Sequence, residues 1–338
     1  MKKLKVGIAG CGRISAIYKN SFKKCSDHIE VKYAVDKVKE RAEIFAGEFG
    51  CGFSESFEDV LRQDLDIIHI CTPHYLHKEQ VVLSLERGFH VLTEKPMAIT
   101  LNDADLMIKT ARETGRKFGV IFQNRYIEGV REAKKLIESG RLGKIVGAWS
   151  FLTWWRPPSY YECDWKGSWE KEGGGVLIDQ AIHSIDLVQY LVGSPVEWIH
   201  GHIDNRMLKI VEVEDVADAV IGFKNGCIYS LFACNYYTSN APIQIEIMGE
   251  KGKVNIKGFD VKIQAEGKTF EVNPSPVTDV IIGGRDHWGD YHYRQISEFY
   301  KSILENKPVV VDGDEGRKAL EIVLGVYQSA REGKRIFV

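Results

Sequence analysis

The chain has 338 residues, 44% hydrophobic and 27% charged, and 45 Lys+Arg nearly balance 47 Asp+Glu for a formal net charge of -2. These proportions exclude collagen-like, disordered and supercharged chains, and the length suits two domains better than one core. A balanced charge without a basic run lacks the electrostatic footprint of a nucleic-acid or anionic-membrane binder, so a small molecule is the expected partner.

From Leu4 to about Phe122, short β-rich runs alternate with helix-period segments, and the runs at 5–9, 31–35, 66–71, 90–92 and 118–121 are predicted strands. Such alternation makes βαβ units and a parallel sheet. Ile67, Ile68 and Ile70 form the nearly continuous apolar run of a strand covered on both faces. The expected fold class is α/β, with an N-terminal doubly wound Rossmann domain over residues 1–123. After about Tyr126 the pattern predicts a helix through Ser139, a strand from Ile145 to Trp154, an aromatic loop and a helix from about Gly175 to Leu191. Strands follow, and Asn225-Gly226 between two β-rich runs is a strong hairpin signal. Helical periodicity returns at 291–306 and 315–331. Residues 124–338 therefore read as a C-terminal α+β domain with a large, open, mainly antiparallel sheet. An apolar outer face on that sheet calls for a second copy, so a homo-oligomer, dimer or tetramer, is expected to pack through 217–223 and 228–233.

No apolar run approaches the ~18 residues that span a bilayer, and the stretch after Met1 is broken by Gly7, Gly10 and Gly12, so the chain reads as untargeted and cytoplasmic. Seven scattered cysteines without CxxC spacing read as reduced thiols. His200 and His202 lack further ligands in sequence, and no metal site is expected.

Gly10-Cys11-Gly12-Arg13-Ile14-Ser15 joins the first predicted strand to a helix. A dinucleotide fold bends its chain around a pyrophosphate at that point: the first glycine makes the turn, the second lets backbone approach phosphate, and the helix N-terminus favours the charge. Gly10, Gly12, Arg13 and Ile14 are the candidate contacts; Ser15 replaces the usual third glycine with another small side chain. Asp36 ends the second strand, where a carboxylate accepts hydrogen bonds from ribose hydroxyls and repels a 2′-phosphate, favouring NAD over NADP. Lys37, next in sequence, softens that repulsion.

Three further segments follow in order: Cys71-Thr72-Pro73-His74-Tyr75-Leu76-His77, Thr93-Glu94-Lys95-Pro96, and Gly173-Gly174-Gly175 with Asp179 and His183. With the glycine loop and the closing run Asp312 to Glu321, they make the chain resemble the glucose-fructose oxidoreductase / inositol dehydrogenase / MocA (Gfo/Idh/MocA) family over nearly its whole length. The resemblance implies an NAD(P)-dependent oxidoreductase of sugars, cyclitols or nucleotide sugars. It also implies cofactor contacts from Cys71, Thr72, Pro73, His74, His77, Glu94, Lys95, Gln123, Trp165 and Lys166, with Lys95 in a catalytic or substrate-orienting role. Departures are His74, where relatives often carry Asn, and Lys166, where they often carry Arg.

Asp179 and His183 stand four apart in an apolar segment, so on an α-helix their side chains are neighbours and the carboxylate can orient an imidazole base. Removing a hydroxyl proton during hydride transfer suits such a histidine. Asp186 competes as its partner. Asn124, Arg125 and Tyr126 resemble a family segment near the active site, and Asn124 and Tyr126 are candidate substrate contacts. Arg156 and Tyr160, in an aromatic loop suited to carbohydrate faces, are candidates too. His287, His292 and Arg294 lie before or within a helix, and His292 matches a family histidine expected to meet substrate. The expected activity is NAD-dependent oxidation of a secondary hydroxyl on a sugar, sugar acid, nucleotide sugar or inositol. The alternatives are an NADP-dependent reductase and a non-catalytic dinucleotide-binding regulator.

Overall fold

The computed structural model describes residues 3–273 and 288–338, so His287 lies outside the described residues. Two units emerge: residues 3–123 with 288–317, and residues 124–273 with 318–338.

The first unit is built on β1 (Leu4–Ala9), β2 (Ile29–Val35), β3 (Gly52–Ser54), β4 (Ile67–Ile70), β5 (His90–Thr93) and β6 (Phe118–Val120). They pair in the order β3-β2-β1-β4-β5-β6, every pair parallel. All four β4 residues are buried, as a doubly covered strand requires. The connections carry α1 (Ser15–Lys24), α2 (Lys39–Phe49), α3 (Phe57–Val60), α4 (His77–Glu86) and α5 (Leu101–Thr114). α5 shows how local chemistry fixes ends: the Thr100 hydroxyl accepts the Asp103 amide, and Gly115 closes the helix at φ 63°.

The second unit holds α6 (Glu128–Glu138), β7 (Ile145–Thr153), α7 (Ile182–Val192) and strands β8 (Val196–Asp204), β9 (Val216–Phe223), β10 (Ile228–Cys234), β11 (Gln244–Gly249), β12 (Gly252–Lys257), β13 (Asp260–Ala265) and β14 (Lys268–Val272). Then come α8 (Trp288–Leu304), α9 (Gly313–Glu332) and β15 (Ile336–Phe337). The nine strands run β14-β13-β12-β11-β7-β10-β9-β8-β15, antiparallel except for β7 beside β10. Asn225-Gly226 turns β9 into β10, with Gly226 at φ 84°. One face of the sheet carries Phe151 (47% exposed), Ile228 (41%) and Val220 (37%), with Trp149 and Phe232 half-buried beside Phe151.

Helix α8 departs from the sequence division, which places it in the second domain. Its Ile296, Phe299 and Tyr300 are buried in one core with Ile8, Tyr18, Phe22 and Ile67 of the first unit. Tyr300 Oη also lies 2.8 Å from His69 Nε2 in β4. Among the described residues no helix is long and apolar enough to cross a membrane.

Candidate active site

In the first unit the glycine loop follows β1. Gly10 adopts φ +97°, and a Cβ there would sit 2.4 Å from Cys71 O and 2.8 Å from Thr72 N, so a side chain would strike the backbone after β4. Gly12 is different: a Cβ on it would meet nothing within 4 Å among the described residues, and its φ is not left-handed. The chain's own packing places no demand for glycine at position 12. A pyrophosphate lying against the backbone does, so the loop fits the dinucleotide its sequence suggests. Ser15 adds more than small size, because its Oγ donates to Gly12 O (2.7 Å) and Cys11 O (3.1 Å) and ties the loop to α1. Arg13 is exposed and Ile14 half-buried at the same rim.

Asp36 is buried at the end of β2. Its Oδ2 accepts the Cys11 amide at 2.8 Å and its Oδ1 the Val38 amide at 2.9 Å. The carboxylate therefore clamps the glycine loop, and the second lone pair on each oxygen remains for ribose hydroxyls. Lys37 is exposed. The Cys11 thiol is pushed up to about 12 by burial and stays protonated, and burial likewise raises the Cys71 thiol.

Beyond β4, Thr72 Oγ1 donates to Gln80 Oε1 at 2.6 Å, Pro73 is half-buried and His74 is buried. The fully buried His77 ring sits between two carbonyls, Pro96 O on Nδ1 and Thr72 O on Nε2, each at 2.8 Å. Burial pushes its pKa down. Packed between these two carbonyls, the His77 ring braces the two turns. Glu94 is also turned inward: Oε1 accepts Tyr18 Oη at 2.9 Å and lies 3.9 Å from His292 Nε2, and burial raises its pKa. It anchors the turn carrying the half-buried Lys95, whose peptide to Pro96 is cis. His292 is thus a buried residue of the first unit beside Glu94, neither a surface residue nor part of the second domain. Gln123 is buried, yet neither Oε1 nor Nε2 has a hydrogen-bond partner among the described residues. An amide held dry with both valences open fits a second amide, such as a nicotinamide carboxamide.

In the second unit, Asp179 lies in a π-helical turn, Leu177–Ala181, that leads into α7. The π turn carries Asp179 and the first turn of α7 carries His183, so the two expected partners lie on adjoining turns. Asp179 Oδ2 gathers Tyr160 Oη at 2.6 Å, Lys166 Nζ at 2.8 Å and Gln180 Nε2. Lys166 also reaches Glu172 Oε1 at 2.9 Å, and its carbon stem carries Nζ over the Trp165 ring at 4.4 Å. Burial works against the Lys166 ammonium, but Asp179, Tyr160 and Glu172 outweigh it and raise its pKa. Glu172 is pushed up by its own burial and by Asp179. His183 is buried on the first turn of α7. Asp186 forms a buried two-point pair with Arg125, Nη2 to Oδ1 at 2.7 Å and Nε to Oδ2 at 2.9 Å, inside the same unit. Asn124 is half-buried, and Tyr126 is buried with the Arg131 guanidinium 4.5 Å over its ring.

Glu214 and Tyr327 account for two of the three consecutive glycines. That buried carboxylate accepts the Gly175 amide (2.7 Å), the Leu177 amide (3.0 Å) and Tyr327 Oη (2.7 Å), capping the start of the site helix. A Cβ at Gly175 would lie 1.9 Å from Glu214 O, and one at Gly174 would lie 2.1 Å from Tyr327 Oη. Burial pushes Glu214 up to about 7. Sequence reasoning missed Glu214, since it lies in an acid-rich stretch that reads as solvated. It also missed Gln295, whose amide bonds Val120 O (2.7 Å) and the Phe122 amide (3.0 Å) at the end of β6.

A glycine-rich phosphate loop after β1, a buried acid after β2 and a parallel sheet in the 3-2-1-4-5-6 order define a dinucleotide-binding oxidoreductase joined to an α+β unit. Residues 4–122 match the oxidoreductase family with NAD-binding Rossmann fold, and residues 130–255 match the GFO/IDH/MocA C-terminal domain. The chain belongs to the Gfo/Idh/MocA family of oxidoreductases acting on CH–OH groups. It is 31% identical to 1,5-anhydro-D-fructose reductase of Ensifer adhaerens, with 90% of each chain covered. It is 25% identical to D-glucoside 3-dehydrogenase of Escherichia coli K12, covering 98% of this chain and 97% of that one. The structure of the WlbA dehydrogenase from Bordetella pertussis, in complex with NADH and UDP-GlcNAcA, matches with a TM-score of 0.87 at 30% identity, covering 100% of this chain and 98% of that one.

Proposed function

We propose that this protein uses NAD to oxidise a secondary hydroxyl of a sugar, sugar acid, nucleotide sugar or inositol. The observation that carries the reading is the pairing of Gly12, open where a pyrophosphate would approach, with Asp36, a buried acid clamped onto the same loop. A 2′-phosphate beside that carboxylate meets like charge, which favours NAD over NADP. Names of relatives support the substrate class, since they act on a glucoside, an anhydrofructose and, in one complex, hold a nucleotide sugar acid.

NAD, when bound, supplies the hydride acceptor. His183 accepts the hydroxyl proton, and a neutral imidazole is the form that does so. Asp179 sets its basicity from the adjoining turn, while Tyr160, Lys166 and Gln180 fix Asp179 by donating to one oxygen. Lys95 hydrogen-bonds the reacting oxygen and stabilises its developing charge. The Thr72-Pro73 turn, braced by His77, and the Gln123 amide contact the nicotinamide half, and Trp165 flanks it. Asn124, Tyr126 and Arg156 meet substrate. A homo-oligomer forms through the apolar sheet face around Phe151, Ile228 and Val220, a wider patch than the two strands the sequence singles out. Titration of both cofactors, followed by a screen of nicotinamide reduction with inositols, aldoses and UDP-sugars, tests the reading. NAD is expected to bind more tightly than NADP and at least one secondary alcohol to reduce it; NADP preference or no reduction with any of them refutes it.

A further inference from the structure

We infer that Arg156 reads an oxyanion on the substrate, so that the sugar oxidised is an acidic one, a sugar acid or a sugar phosphate. The inference rests on the reading that the second unit takes a sugar. Arg156 follows β7 and is 8% exposed, so its charge is largely removed from water. Its Nη1 donates to Trp155 O at 2.9 Å and Asn240 Oδ1 at 3.0 Å, both neutral acceptors. Its Nε is buried with no acceptor among the described residues. The guanidinium is held by rings instead, 4.7 Å from the Trp154 centroid and 5.1 Å from that of Tyr160.

Arg125 makes the contrast in the same unit. It is buried to a similar degree, 4% exposed, and faces Asp186 with two points of contact. A buried guanidinium is normally paired in this way, because an uncompensated charge in a dry site is costly. Among the described residues Arg156 meets no such carboxylate, and its remaining edge, Nε with Nη2, is the edge that matches two oxygens of a carboxylate or phosphate. The nearby acids are committed elsewhere: Asp179 and Glu172 share Lys166, and burial favours the neutral form of Glu172. Tyr160 links the two groups, with its ring against Arg156 and its hydroxyl 2.6 Å from Asp179 Oδ2. Arg156 therefore stands one aromatic ring away from the acid that serves the proposed base.

Calorimetry on the NADH-loaded protein, in which an alcohol cannot turn over, tests the inference with D-glucuronate, glucose 6-phosphate, D-glucose and myo-inositol. One of the two anions is expected to bind about tenfold or more tightly than D-glucose, and which one does so separates carboxylate from phosphate. Arg156→Gln should abolish the preference. Asn240→Asp should abolish it too, by placing a carboxylate oxygen against Nη1 with almost no change of volume, and the fold should keep or gain thermal stability. Equal binding of anions and neutral sugars, no binding of either anion, or a preference that survives Asn240→Asp overturns the inference. Oxidation of neutral sugars by an enzyme indifferent to both anions would leave the dehydrogenase reading standing while this one falls.

Discussion

Replacing Gly12 and Gly10 separately by alanine should split cofactor binding from folding. At Gly12 the added methyl meets no atom of the described residues within 4 Å and the backbone is not left-handed, so stability should stay within ~0.5 kcal/mol of the parent or rise slightly through a less mobile unfolded chain. The methyl occupies the ground where a pyrophosphate would meet the backbone, so NAD affinity should fall by about tenfold or more, equivalent to ~1.4 kcal/mol. At Gly10 the methyl would lie 2.4 Å from Cys71 O on a backbone at φ +97°, and neither backbone can rotate away as a side chain can. Strain and overlap together should cost about 2 to 4 kcal/mol of stability. Denaturant unfolding without cofactor and calorimetric titration with NAD read the two quantities independently. A Gly12→Ala protein that binds NAD as tightly as the parent would refute the pyrophosphate placement.

Asp36→Asn should narrow the gap between NAD and NADP chiefly by weakening NAD, from a parental preference of at least about tenfold, and equal parental affinities in titration would count against the role of Asp36. Glu214 gives a pH dependence: its pKa rises from 4.5 to about 7 on folding, so its contribution to stability is full below pH 4.5 and is lost as pH rises through 7. That loss is of order ~3 kcal/mol, and urea midpoints measured across this window should fall more steeply for the parent than for Glu214→Gln; parallel slopes would contradict it. Phe151→Glu on the exposed sheet face should shift light scattering toward monomer, and a parent already monomeric at micromolar concentration would rule the oligomer out.

Five of the six strands of the first unit were legible because each is a short apolar run closed by turn chemistry, and β4, buried throughout, carries the clearest such run; β3 (Gly52–Ser54) was missed, being three residues long, largely exposed and without such a run. The Asn225-Gly226 hairpin was legible for the same local reason. The affiliation of α8 was not, because an apolar stripe says that a helix is buried without saying against what; Ile296, Phe299 and Tyr300 find Tyr18 and Phe22 far away in sequence. In the candidate site, residue types were readable and their pairings were not. Asp179 was singled out, but its partners Tyr160 and Lys166 come from the preceding loop, and the π turn that carries it has no mark in the sequence. His77 and Glu94 were visible as polar groups after strands, whereas only the tertiary structure turns both inward.

The most direct test of the proposed chemistry is the turnover of His183→Ala against the parent, with a substrate found by the screen and with NAD affinity measured in parallel. The proton-acceptor role predicts kcat lower by roughly 10² to 10⁴ with nearly unchanged NAD binding. A kcat within about twofold of the parent at every pH would contradict it and move the search for the base to Lys95 and Tyr126.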